Sequence, residues 1–296
     1  MVEDRSLTRR SALAIMAASA GALVASGAEK EGPTMPDSTQ GKLRLNGRVH
    51  HSVCRWCYSK MPLDDLCREA AAMGLESVEL LKEDEWPAVK KYGLTCAMPM
   101  GPSGIADGWN RLEDHDRLVK ESERLLPLIA ENGFPNMIVF SGNRRGISDA
   151  QGLDNCARGL SRITPTAEKL GITMCMELLN SKRDHKDYQC DRTPWGVELA
   201  KKIGSDRFKL LYDIYHMQIM EGDVIATIRE NIQYLHHFHT GGVPGRNEID
   251  DTQELNYRRI AEAIMETGFK GYIAQEFIPK RDPMTSLRQG ITICDV

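Results

Sequence analysis

The stretches AEKLGITMCME (residues 167–177) and METGFKGYIAQE (265–276) carry one arrangement twice. In each, an amphipathic helical segment stops at a glycine, a short apolar strand follows, and the strand ends on a glutamate. Glycine suits the stop because it takes the left-handed conformation of a helix C-terminus at little cost. Working outward, apolar runs at 49–54, 77–81, 94–98, 137–141, 172–177, 208–213, 234–239 and 271–277 alternate with helix-length segments. Among the latter, PLDDLCREAAAMG and NYRRIAEAIMETG repeat apolar residues at i, i+3 and i+4 and end in glycine. Strand–helix alternation favours a parallel sheet, and eight alternations in about 250 residues predict an α/β fold, a single-domain (β/α)8 TIM barrel. A doubly wound open sheet that binds a dinucleotide would want G-x-G-x-x-G after its first strand, and the sequence has none there.

Catalytic groups of such a barrel stand at the C-terminal ends of its strands. The last four predicted strands end in Glu177, Asp213, His239 and Glu276, spaced by 36, 26 and 37 residues, each about one strand-plus-helix unit. Four potential ligands therefore reach one rim from four consecutive staves. Side chains alternate faces along a strand, so the residues two before each should also point into the barrel. They are Cys175, Leu211, His237 and Ala274, mostly small or apolar as an interior requires. On HHFH (236–239) the same rule makes His239 the ligand candidate, His237 a deeper partner and His236 an outward residue. Three carboxylates brought together repel one another unless a cation joins them. One imidazole and three carboxylates suit Mn²⁺ or Mg²⁺, with Co²⁺ and Zn²⁺ also admissible.

The chain has 296 residues, a formal net charge of -4 and 27% charged residues, with no basic stripe to suggest nucleic acid. Residues 1–28, with Arg9-Arg10 ahead of an Ala-rich apolar run, read as a cleavable twin-arginine export signal, which implies a periplasmic location. The run is too short for a stable membrane anchor. Residues 29–47 read as a polar linker and 48–296 as the barrel. The eight cysteines are scattered, which argues against a disulfide framework, and the lone CxxC of Cys54 and Cys57 leaves a local disulfide open. GPSGIADGWN (101–110) is glycine-rich but lacks the Lys-Ser/Thr of a phosphate-binding loop.

MELLN, LLYDIYHMQIMEGD, HFHTGGVPGRNEIDDTQELNY and GYIAQEF resemble segments of the hydroxypyruvate isomerase group within the xylose-isomerase-like TIM barrels, densely over 172–279 and more loosely over 48–171. That superfamily also includes ketose 3-epimerases and inosose dehydratases. The resemblance implies that Glu177, Asp213, His239 and Glu276 bind a divalent metal, that Glu177 and Glu276 double as acid and base, and that His216 of the D-x-x-H contacts substrate. At position 239 hydroxypyruvate isomerases usually carry glutamine, whereas the epimerases and dehydratases carry histidine as this chain does.

The expected reaction is removal of a proton next to a carbonyl, with the metal stabilising the enediolate. The substrate is expected to be a small keto acid or sugar. Arg246 is expected to hold a substrate carboxylate through its paired N–H groups, and Glu79 to contact substrate or orient a histidine of the first strand. Trp56 and Trp109 are candidates for apolar pocket walls. The readings that compete with a hydroxypyruvate-type isomerase are a ketose 3-epimerase, a keto-sugar lyase or dehydratase, and a non-catalytic metal-containing sugar-binding barrel. An apurinic endonuclease would want more strand-end histidines and a basic groove. A homo-oligomer is compatible with all of these.

Overall fold

The computed structural model describes residues 42–296. The export segment 1–28 lies outside the described residues, as do residues 29–41 of the linker. The rest of that linker belongs to the packed body: Leu43 and Leu45 lie against the hydrophobic core, and Asn46 N–H donates to Asp295 at 2.8 Å. The boundary expected at residue 48 therefore moves toward the N-terminus, because two leucines spaced to share one face of an extended segment bury themselves on the barrel.

The described residues form seven parallel strands: β1 (His50–Cys54), β2 (Ser77–Glu79), β3 (Asn136–Val139), β4 (Thr173–Leu178), β5 (Phe208–Asp213), β6 (Leu235–Thr240) and β7 (Tyr272–Gln275). They lie in the order β2-β1-β7-β6-β5-β4-β3. The predicted eighth stave, 94–98, is present but irregular. It makes a single parallel bridge, Ser77 to Thr95, and Leu80 N–H donates to Met98 O at 2.8 Å. Toward β3, Ile138 N–H reaches Pro99 O at 3.2 Å, and the Asn136 side chain donates to Ala97 O at 2.8 Å in place of a ladder bond. Pro99 lacks an N–H, which limits what this edge can pair. A side chain on Gly101 would place its Cβ 1.9 Å from Ile138 O, and one on Gly108 would place it 2.2 Å from Phe140 O. The glycine-rich loop thus serves close backbone approach to β3 and not phosphate binding.

Among the described residues, ten α-helices clothe the sheet: α1 (Leu63–Met73), α2 (Trp86–Lys91), α3 (His115–Glu131), α4 (Asp149–Leu160), α5 (Thr164–Leu170), α6 (Thr193–Ile203), α7 (Ile214–Met220), α8 (Val224–Asn231), α9 (Tyr257–Glu266) and α10 (Pro283–Cys294). The glycine stops of the two opening stretches hold: Gly171 and Gly268 have φ of 73° and 81°. No described helix is long and apolar enough to cross a membrane.

One irregularity aims the site. Leu210 of β5 pairs with Leu235 of β6, yet Leu211 pairs with His237, so His236 is an extra residue bulged out of the ladder. The bulge brings His239 opposite Asp213 and sends His237 and His239 inward, both fully buried, with His236 only partly covered. Trp109 is core rather than pocket wall: it is fully buried beside His115. All eight cysteines, Cys54 and Cys57 included, are free thiols.

Candidate metal centre

Each of the four strand-end residues is delivered by its own stave. Glu177 is the penultimate residue of β4, where the Tyr188 hydroxyl donates to its carbonyl at 3.0 Å. Asp213 ends β5 and at once caps α7, its Oδ1 accepting from His216 N–H at 3.0 Å while Oδ2 faces the rim. His239 lies on β6. Glu276 follows β7 by one residue and stays in line because its N–H donates to Thr240 O at 3.2 Å. Ligand atoms of Glu177, Asp213, His239 and Glu276 all lie within 4.8 Å of one another, and all four residues are buried.

His239 supplies the test of whether these residues fit a metal. Its Nε2–H donates to Glu79 Oε1 at 2.8 Å, which leaves the lone pair of Nδ1 facing the site. Nδ1 is buried, 2.6 Å from Glu276 Oε2 and 3.3 Å from Glu177 Oε1, yet its geometry makes no hydrogen bond. A buried nitrogen aimed between carboxylate oxygens without bonding any of them is what a shared cation requires. Charge points the same way: Glu177, Asp213 and Glu276 outnumber the one guanidinium among them, that of Arg246, so a cation offsets the excess negative charge.

Glu79 stands beneath this centre. Fully buried, it accepts from His237 and His239 through one oxygen, at 2.8 Å each, and from Ser52 through the other at 2.5 Å. Burial alone would raise its pKa, but the two histidines hold it well below the usual carboxylate range. The expected substrate contact is therefore corrected. Glu79 has no access to the cavity, and the histidines that it orients come from β6, across the bore, not from β1.

Above the centre, Arg246 is buried in the loop after β6. Its Nε donates to Glu276 O at 3.1 Å, Nη1 lies 2.7 Å from His216 Nε2, and Nη2 donates to Asp213 Oδ2 at 2.6 Å and to Glu276 Oε2. Every nitrogen of the guanidinium expected to clamp a substrate carboxylate is thus engaged by the site itself. Trp56 Nε1 donates to the other oxygen of Glu276 at 2.6 Å, so Trp56 both walls the cavity and pins a ligand. Arg246, with the N–H of Trp56, holds Glu276 well below the usual range despite its burial. Glu177 has no such donors; burial, reinforced by Glu276 and Asp213, pushes it up to about 7.

His216 is brought to the site as expected, and its burial keeps the imidazole neutral. Asn180 Nδ2 lies 2.6 Å from its Nδ1, so both ring nitrogens face donors, and a neutral ring with one lone pair accepts from one of them at a time. Sequence reasoning missed Asn180 and His185. The signal for Asn180 was its place three residues beyond Glu177 in MELLN, while His185, edge-on to His216 at 5.2 Å between ring centres, had no signal but its loop.

The sequence matches a family model described as xylose isomerase-like TIM barrel over residues 67–294. A 2-oxo-tetronate isomerase of Cupriavidus necator is 36% identical over 110 residues, 37% of this chain and 42% of that protein. A Homo sapiens protein named "Putative hydroxypyruvate isomerase" is 30% identical over 112 residues, 38% of this chain and 40% of that protein. The matched stretches span about two fifths of the length of these relatives. The crystal structure of a family 2 AP endonuclease from Brucella melitensis superposes with a TM-score of 0.72 at 21% identity, covering 81% of this chain and 97% of that one, a likeness of fold. The barrel, the meeting of four candidate ligands at its strand ends and a family match across most of the described residues converge on one conclusion: the chain belongs to the xylose isomerase-like TIM barrel family.

Proposed function

We propose that the protein is a divalent-metal-dependent isomerase that moves a proton between carbons next to a carbonyl of a hydroxy-carbonyl compound. The observation that carries this reading is the convergence of Glu177, Asp213, Glu276 and the unbonded His239 Nδ1 at the floor of a cavity. The isomerase names of the two relatives support it. When bound, the ion supplies Lewis acidity, easing the negative charge that grows on a carbonyl oxygen as the neighbouring carbon loses its proton. Mn²⁺ or Mg²⁺ fits the oxygen-rich donor set best.

The chain's own residues do the rest. Glu276, held by Trp56 and Arg246 in one orientation and as an anion, takes the proton. Glu276 can hand that proton back to the neighbouring carbon, whereas Glu177, whose carboxyl is pushed up to about 7 by burial and so can carry a proton of its own, supplies one from the opposite face. His216 and Arg246 face the oxygen that becomes negative, and Asn180 steadies the His216 ring. Return of the proton to the adjacent carbon interconverts ketone and aldehyde, and return to the opposite face of the same carbon inverts a stereocentre. Export to the periplasm is part of the proposal and rests on the Arg9-Arg10 segment.

The test is proton NMR in D₂O with the Mn²⁺-loaded protein, then exchanged into Mg²⁺, on hydroxypyruvate and on ketoses. Metal-dependent loss of an α-proton signal, absent in Glu276→Gln, is the expected result. Exchange that persists in Glu276→Gln would remove the acid–base assignment, and no exchange with any compound would leave a binding barrel or a lyase.

A further inference from the structure

The cavity above the metal centre has a volume of about 1120 Å³. At roughly 30 Å³ for each non-hydrogen atom, the generous allowance of liquid water, a three-carbon keto acid of seven such atoms fills only about 200 Å³. A two-ring sugar of 23 atoms fills roughly 700 Å³ on the same allowance, within the range of pockets that enclose ligands of that size.

The lining answers the same question by its chemistry. Trp56, Leu80, Met100, Ile105, Phe140 and Ile278 give the cavity an apolar wall. Trp56 and Ile278, each 42% exposed, are two of the three large hydrophobic side chains left exposed among the described residues, and both open into this cavity. Exposed apolar surface gathered in a cleft marks a binding face. Leu80 has φ of 58°, a conformation that leucine seldom adopts, and it is held there by the hydrogen bond from its N–H to Met98 O. The backbone thus bears strain at a position where an apolar side chain meets the cavity.

An anion would find little welcome. The Arg246 guanidinium is occupied by Asp213, Glu276 and His216. Arg55 donates to Tyr58 O at 2.7 Å and lies 3.9 Å from Glu85, and Lys82 stands exposed at the rim beside Glu83 and Asp84. Asp184 lines the same space, as do Glu85 beside Arg55 and Asp107, which pairs with Arg145, so no cation among the described lining residues stands free of an acidic neighbour to hold an anion.

We infer that the part of this cavity away from Glu177 and Glu276 is a second subsite, and that the substrate is a neutral keto sugar carrying a second ring, not a three- or four-carbon keto acid. The reactive hydroxy-carbonyl end sits at the metal centre, and the second ring lies on Leu80, Ile278 and the part of the Trp56 ring turned away from its N–H, which reaches Glu276. This substrate class rests on the proton-transfer reading above.

The experiment measures binding and exchange separately. Calorimetric titration of the Mn²⁺-loaded full chain uses isomaltulose, lactulose and maltulose, each D-fructose carrying a second ring, beside D-fructose and hydroxypyruvate. At least one two-ring sugar is expected to bind tenfold or more tightly than D-fructose, with hydroxypyruvate weaker still, and Ile278→Ser, at an exposed position, narrows that preference at least threefold. Two-ring sugars that bind no better than D-fructose, or hydroxypyruvate that binds best, would overturn the inference. The D₂O exchange of the same compounds separates the two ideas. Preferential two-ring binding without exchange keeps the subsite and removes the proton-transfer reading; exchange with hydroxypyruvate alone, together with its tightest binding, does the reverse.

Discussion

Replacing Glu79 by Gln keeps the shape of the group beneath His239 and removes its charge. In the native chain one oxygen of Glu79 accepts from both His237 and His239 at 2.8 Å and the other from Ser52 at 2.5 Å, with all four side chains buried. The amide keeps one acceptor oxygen but turns an NH₂ toward Ser52, which must then give its own hydrogen to Ser77 O, 3.3 Å away. The His239 N–H passes from an anion to a neutral carbonyl. Hydrogen bonds to charged groups are about twice as strong as neutral ones, and the lost negative charge also lowers the basicity of Nδ1, the nitrogen that faces the site. Loss of such a supporting carboxylate costs about 10- to 100-fold in metal affinity, or roughly 1.4–2.8 kcal/mol. Calorimetric titration with Mn²⁺ should show that weakening, with an unchanged far-ultraviolet circular dichroism spectrum, and saturating Mn²⁺ should restore much of the α-proton exchange. A Kd within twofold of the wild type would refute the idea that Glu79 acts through His239.

Three further outcomes follow from the same geometry. A Glu177 carboxyl pushed up to about 7 by burial holds a proton below that pH, and the proton competes with the metal; apparent Mn²⁺ affinity should be level above pH 7 and fall about tenfold per unit below it, and titrations from pH 5.5 to 8 that show affinity rising toward acid would contradict this. Mn²⁺ at 100 times its Kd should stabilise the chain by about 2.7 kcal/mol, and chelation should lower Tm by roughly 5–10 °C in scanning calorimetry; an unchanged Tm would mean that the folded chain does not bind the ion. Gly101→Ala, whose Cβ would meet Ile138 O at 1.9 Å, should open the barrel at the 94–98 stave and abolish soluble protein, as an expression and gel-filtration comparison would reveal.

The strand ends were legible because a barrel turns a one-dimensional spacing into a shared rim. Residues one strand-and-helix unit apart must meet, and period-two alternation separates His239 from His236 without knowledge of the neighbouring strands. What lies across the bore was not legible in the same way. Glu79 is a candidate from its strand alone, but β2 and β6 are not neighbours in the sheet, so no spacing rule links Glu79 to His237 and His239. The sequence offers Arg246 as a clamp for a substrate carboxylate, and only the structure gives its engagement with Asp213 and Glu276. The N–H of Trp56 on Glu276 was hidden for a similar reason: an exposed tryptophan announces a wall, not a hydrogen bond to a carboxylate 220 residues away. The stave at 94–98 has the apolar character of a strand, but Pro99 and the tight passage of Gly101 past β3 leave it one bridge and substitute contacts instead of a ladder.

The proposed chemistry requires that Glu177, Asp213, His239 and Glu276 form one cation site. Its most direct test is an electron paramagnetic resonance titration of Mn²⁺ into the wild-type chain and into Glu177→Gln, Asp213→Asn, His239→Ala and Glu276→Gln, each checked for native circular dichroism. The account predicts one tightly held Mn²⁺ per wild-type chain and an affinity at least 100-fold weaker in every variant. Tight binding that survives in these variants, or no tight site in the wild type, would contradict it.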